Sequence, residues 1–243
     1  MFLKIMDTYL FIIFLSLLNL AYGRSLRVDP SFLFIDEDWP INKPLAVSIC
    51  GENIDKIKII SGNDDKRFTL HKINQTCANL QSSKEFDADQ LHSDGSRWQS
   101  FSLLFEGGKK RRKASLDIQI VDINDNAPKF VNWRSETNVS EKQSVGSVVQ
   151  RIQTFDPDTG VGGIVRFFVH GEKFSIENER CSNSYCHADL VLKSPLDYES
   201  NPIERVSIVA RDGASLTKYA TEAHANVTIH VIDEQDTPPT FLT

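Results

Sequence analysis

Along this chain apolar and polar residues alternate with a period of two, again and again. Leu45, Val47 and Ile49 alternate with Ala46, Ser48 and Cys50. Phe101, Leu103 and Phe105 repeat the pattern, as do Leu116, Ile118 and Ile120 against Ser115, Asp117 and Gln119. The second half contributes Val206, Ile208 and Ala210, then Ala225, Val227, Ile229 and Val231. Successive side chains on a strand point to opposite faces, so each run predicts a strand with one buried face. No window longer than ten residues carries a convincing helical period. Short strands separated by polar turns predict an all-β chain of antiparallel sandwiches.

Length divides this pattern in two. The 243 residues exceed one typical domain and suit two, each large enough for its own core. A repeat marks the division, because Asp122, Asp125, Pro128 and Phe130 recur 111 residues later as Asp233, Asp236, Pro239 and Phe241. Two fainter echoes accompany it. Ile35-Asp36-Glu37 answers to Val139-Ser140-Glu141, and Phe86-Asp87-Ala88-Asp89 to Leu196-Asp197-Tyr198-Glu199. The expected units are residues 24–128 and 129–239, with 240–243 beginning a further linker.

Composition narrows the chemistry. Hydrophobic residues make up 40% and charged residues 25%, a globular balance, and the net charge of −6 disfavours nucleic acid and favours cations. Residues 1–23 read as a signal peptide: Lys4, an apolar run from Tyr9 to Leu18, and small residues Ala21 and Gly23 before cleavage at Arg24. That run is short against the roughly 20 residues of a spanning helix. An oxidising compartment lets the four cysteines pair within their units, Cys50 with Cys77 and Cys181 with Cys186. A zinc site with His187 lacks a fourth ligand. Sequons at Asn74, Asn138 and Asn226 offer glycosylation sites.

The run Val121-Asp122-Ile123-Asn124-Asp125-Asn126-Ala127-Pro128-Lys129-Phe130 resembles the linker between cadherin repeats. Phe155-Asp156-Pro157-Asp158-Thr159-Gly160, Leu196-Asp197-Tyr198-Glu199 and Ala210-Arg211-Asp212-Gly213 look like that family's other acidic signatures, in order. The resemblance covers residues 28 to 243, and its first repeat is the divergent one. It implies two tandem Greek-key β-sandwiches, calcium as cofactor and no enzymatic activity. The chemistry agrees independently, since calcium takes six to eight oxygens from carboxylates, amides and carbonyls. An EF-hand reading of Asp156 to Gly160 fails, because Val161 holds its sixth position and no Glu follows at the twelfth.

Carried over residue by residue, the resemblance assigns Glu37, Asp87, Asp89, Asp122, Asn124, Asp125, Asp156, Asp158 and Asp212 to a first calcium cluster. Main-chain oxygens of Ile123, Asn126 and Gly162 complete it. Asp89 stands where the family usually has Glu, and Gly162 where it usually has Asn. The first change shortens a bridging ligand; the second matters less, because the ligand there is a carbonyl. A half-cluster of Glu141, Asp197, Glu199, Asp233 and Asp236 is expected to bind weakly without a following repeat, and Gln235 and Thr237 replace its two Asn residues.

The resemblance implies a calcium-dependent adhesion or recognition ectodomain, its partner another cadherin-type ectodomain, homophilic or heterophilic. The alternative is a secreted two-repeat ligand or competitor. Membrane attachment would come only through a spanning segment absent from this chain. No Trp lies at the expected mature terminus to swap into a partner, so the likeness is to nonclassical or protocadherin-like members. Trp39, Trp98 and Trp133 read as packing residues before docking anchors. Lys109-Lys110-Arg111-Arg112-Lys113 reads as a solvated hairpin loop. Binding of sulfated glycans or an acidic surface, and proteolytic processing, remain open beside it.

Overall fold

The computed structural model describes residues 25–89, 100–213 and 221–235. The expected signal peptide, Trp98, Asp236 and residues 240–243 therefore lie outside the described residues. The chain divides into two compact units between Asp122 and Ile123. In the first, one sheet is ordered β1 (Arg27–Asp29), β3 (Pro44–Cys50), β6 (Cys77–Ser82) and β5 (Phe68–Lys72). The facing sheet is ordered β2 (Phe32–Asp36), β8 (Arg112–Val121), β7 (Ser100–Gly107) and β4 (Lys58–Ser61).

The second unit repeats this plan strand for strand. Its sheets run β9 (Lys129–Phe130), β11 (Val148–Phe155), β14 (Tyr185–Leu192), β13 (Phe174–Ser182), and β10 (Glu136–Ser140), β16 (Glu222–Ile232), β15 (Ile203–Asp212), β12 (Val165–His170). Each unit is thus a two-sheet Greek-key sandwich, as the alternation predicts. The alternating residues are the core: Leu45, Val47, Ile49, Phe101, Leu103, Phe105, Leu116, Ile118 and Ile120 are buried in the first unit. Val206, Ile208, Ala210, Val227, Ile229 and Val231 are buried in the second.

One feature departs from an all-antiparallel plan. β2 pairs with β8 in parallel, Leu33 opposite Ile118 and Ile35 opposite Ile120, and β10 pairs with β16 in parallel. The cause is that the N-terminal segment of each unit changes sheets without reversing direction. In the first unit β1 meets β3 head to tail on one sheet, and β2 continues onto the other alongside β8. Two parallel strands finish at the same pole, which decides where the residues following them are placed.

Both cysteine pairs bridge, Cys50 to Cys77 across β3 and β6, and Cys181 to Cys186 across β13 and β14. The second pair flanks a two-residue hairpin loop in which Asn183 and Ser184 both take positive φ, 50° and 66°. That is the conformation whose twist matches the flanking strands. Trp39 packs against the first core and Trp133 against the second, where it meets Phe130 at 5.2 Å between ring centres. Among the described residues no helix is long and apolar enough to cross a membrane.

Candidate metal centres

The parallel pair β2·β8 sets the acidic pole of the first unit. Glu37 follows β2 directly and Asp122 follows β8, and the Glu37 N–H donates to the Val121 carbonyl at 3.1 Å. Glu37 Oε2 accepts the Ala88 N–H at 2.6 Å, which fixes the Asp87-Ala88-Asp89 segment beside it. Asp89 in turn donates its N–H to Asp87 Oδ1 at 3.1 Å. Glu37 and Asp89 present carboxylate oxygens within 4.8 Å of each other, as do Asp89 and Asp122. Oxygens bound to one calcium at 2.3 to 2.6 Å lie no farther apart than about 5 Å, so this spacing suits a shared ion.

The second unit builds two acidic poles. At the first, Asp156 and Asp158 follow β11 and Asp212 ends β15; all three side chains are almost fully buried. Asn124 donates its amide to Asp212 Oδ2 at 2.8 Å, and Asn126 donates its amide to Asp158 Oδ1 at 2.8 Å and to Asp125 Oδ1 at 2.7 Å. Asp156 Oδ1 accepts the Asp158 N–H at 3.0 Å. Thr221 closes the ring: its hydroxyl lies 2.7 Å from Asp212 Oδ2 and 3.0 Å from the Asn126 carbonyl. Buried charges persist where they are paired or bind metal, and this donor set is all oxygen, as a hard divalent cation requires.

Gly162 belongs to the same pole. A Cβ there would stand 2.6 Å from Asn124 Oδ1 and 3.1 Å from Asp158 Cβ. Its lack of a side chain is what lets Asn124 fold inward, so the Gly at this position does more than leave a carbonyl ligand in place. At Gly213 a Cβ would collide with the Val161 carbonyl, so the turn after Asp212 also needs glycine.

At the opposite pole the parallel pair β10·β16 repeats the construction of the first unit. Glu141 follows β10 and Asp233 follows β16, and the Glu141 N–H donates to the Ile232 carbonyl at 3.2 Å. Glu141 Oε2 accepts the Tyr198 N–H at 2.9 Å, as Glu37 accepts that of Ala88. Glu141, Asp197 and Glu199 offer oxygens within 4.8 Å of one another. The Ser200 hydroxyl and N–H, both donated to Asp197, hold that carboxyl below its ordinary range.

The sequence-derived ligands thus fall into three groups. Glu37, Asp87, Asp89 and Asp122 gather in the first unit. Asn124, Asp125, Asn126, Asp156, Asp158, Gly162 and Asp212 gather in the second, where Ile123 begins the chain. Glu141, Asp197, Glu199 and Asp233 sit at its far pole, and Asp236 lies outside the described residues. Sequence reasoning missed Thr221 and the Glu234 N–H, which donates to Glu141 Oε1 at 2.7 Å. No residue type marks either in advance. Asn74, Asn138 and Asn226 are all exposed, each open to modification.

Comparison with known proteins follows the same lines. The cadherin domain family model matches residues 135–232. Cadherin-related family member 1a of Danio rerio is 34% identical over 137 residues, 52% of this chain and 15% of that protein. Human protocadherin gamma-A6 is 27% identical over 177 residues, 72% of this chain and 18% of that protein. The chain therefore spans less than a fifth of the length of these relatives. Among solved structures, the protocadherin gammaB7 EC3-6 cis-dimer superposes with a TM-score of 0.71 at 21% identity, over 87% of this chain and 48% of that one. Mouse protocadherin-24 EC1-3 gives 0.66 at 22% identity, over 88% and 66%. Cadherin-family proteins are adhesion proteins and not enzymes. Residues 135–232 are a cadherin domain.

Proposed function

We propose that this chain is a calcium-dependent cell-surface recognition ectodomain whose joint between two cadherin repeats is rigidified by calcium. The ligands would be Glu37, Asp87, Asp89, Asp122, Asn124, Asp125, Asp156, Asp158 and Asp212, with carbonyls of Ile123, Asn126 and Gly162. The observation that carries this reading is the burial of Asp156, Asp158 and Asp212 within one hydrogen-bonded ring of oxygen donors. Like charges about 4 Å apart cost about 1 to 4 kcal/mol per pair between bulk water and a protein surface. Divalent ions remove that repulsion, and ions shared by acids of both units would tie the units together. Extracellular modules of this class bind calcium at roughly 10⁻⁴ to 10⁻³ M, which suits a cell-surface location. Another cadherin-type ectodomain is the partner this reading implies, in keeping with the protocadherin gammaB7 EC3-6 cis-dimer.

Small-angle scattering of the secreted chain in millimolar calcium and then in chelator tests the mechanism. The radius of gyration should change, and protease cleavage between Asp122 and Pro128 should accelerate on chelation. Identical scattering and identical cleavage in the two conditions would remove calcium from the joint.

A further inference from the structure

We propose that the β7–β8 hairpin of the first unit, carrying Lys109 to Lys113, binds a sulfated glycosaminoglycan. The strand-for-strand equivalence of the two units makes this hairpin the counterpart of the β15–β16 connection, whose flanking residues Asp212 and Thr221 meet in the acidic ring of the second unit. The segment after β11, Asp156 to Asp158, has its counterpart after β3 in Gly51 and Glu52. At this pole, where the second unit has an acidic ring, the first unit carries five consecutive cations. The pole that fits a divalent cation in one sandwich fits a polyanion in the other.

The hairpin presents these charges on a defined turn. Its four-residue loop is closed by the Arg111 N–H donating to the Gly108 carbonyl at 3.2 Å, with Gly108 at φ 79° and Arg111 at φ 47°. All five basic side chains are exposed, and among the described residues none makes an ion pair. Across the strands, Glu106 stands in register with Lys58 on one side and Lys113 on the other, without an ion pair to Lys113. Glu52 lies beside Gly108, across a shallow cleft lined by Leu26, Lys110 and Arg112. The acidic pole of the same unit begins at the far end of β8. Ten residues at about 3.3 Å each put it about 30 Å away, several screening lengths at physiological salt. The net negative charge of the chain therefore does not cancel the tip.

Charge without apolar surface distinguishes the class of partner. Among the described residues no large exposed hydrophobic side chain lies at the hairpin tip, residues 107–113, whereas protein interfaces are built around an apolar, aromatic-rich centre. A flexible polyanion needs no such centre, because its binding is driven by counterion release. Arg111 and Arg112 add planar forks suited to sulfate oxygens.

The test uses the secreted chain in millimolar calcium on immobilised heparin, across a salt gradient. Five cations predict retention beyond about 0.15 M salt and a log affinity against log salt slope of about −3.5. The triple variant Lys109→Ser, Lys110→Ser, Arg111→Gly removes three charges and should reduce that slope to about −1.4. Glycine at 111 suits the positive φ, so an unchanged melting temperature is expected and checks the fold. Soluble heparin should displace the chain, whereas carboxylate-only hyaluronan and polyglutamate should not. Co-elution of the variant with the parent overturns the proposal. So does equal displacement by polyglutamate, which would favour an acidic protein surface, or by hyaluronan, which would show charge alone. Any of these outcomes leaves the calcium reading untouched, since that site lies at the other pole.

Discussion

Asp156, with no side-chain exposure, is the residue on which the calcium proposal bears most directly. It lies between the Asp158 N–H and a pole already holding Asp158 and Asp212, so in the metal-free protein its charge is a cost. Asp156→Asn keeps the shape and removes the charge. The metal-free variant should melt higher than the parent by roughly 4 to 8 °C for each kcal/mol of repulsion relieved, and its gain on adding calcium should shrink. Calorimetry with and without calcium decides this; a variant with the parent's full calcium-dependent rise would show that Asp156 is not a ligand. Most acids of the site were legible in the sequence because the linker signature is dense and recurs at a fixed offset. Thr221 was not, since a threonine in a polar connection looks like any other until the fold brings its hydroxyl to Asp212. The meaning of Gly162 was also hidden, because only the packing shows that a Cβ would displace Asn124.

Strands were easier to read than their pairing. Period-two burial in β7, β8 and β16 follows directly from the alternating residues, whereas in β3 and β15 Ser48 and Val209 are buried as well. Parallel pairing of β2 with β8 leaves no trace in that period, because a strand shows the same alternation whichever way its neighbour runs. The disulfides were legible from their distribution between the units, and they should not contribute equally. The Cys50–Cys77 bridge spans 27 residues and the Cys181–Cys186 bridge only 5. Loop-closure entropy then makes the first worth about 3.5 kcal/mol and the second about 2. Paired serine substitutions at each bridge, followed by denaturant melts, should therefore destabilise the first unit more than the second. Equal losses would place the stabilisation in the folded hairpins instead of the unfolded chain.

At the scale of the molecule, the parallel strand pairs that gather the acids also determine how each sandwich bears load. The chain enters the second unit through β9 and β10 and leaves it through β16, so a pull on its two ends draws β10 and β16 in opposite directions along a shared ladder. Glu136 to Ser140 are bonded there to Thr228 to Ile232, five residue pairs lying side by side along the pull. Tension is applied to all of them together in shear, and none can peel open ahead of the rest. An antiparallel pair at that position would unzip one rung at a time. Single-molecule stretching should record one abrupt rupture for each sandwich, and a gradual, stepwise extension would show that the ladder does not carry the load. A cell-surface protein built from such sandwiches in series would transmit force along its strands while its binding surfaces stay folded.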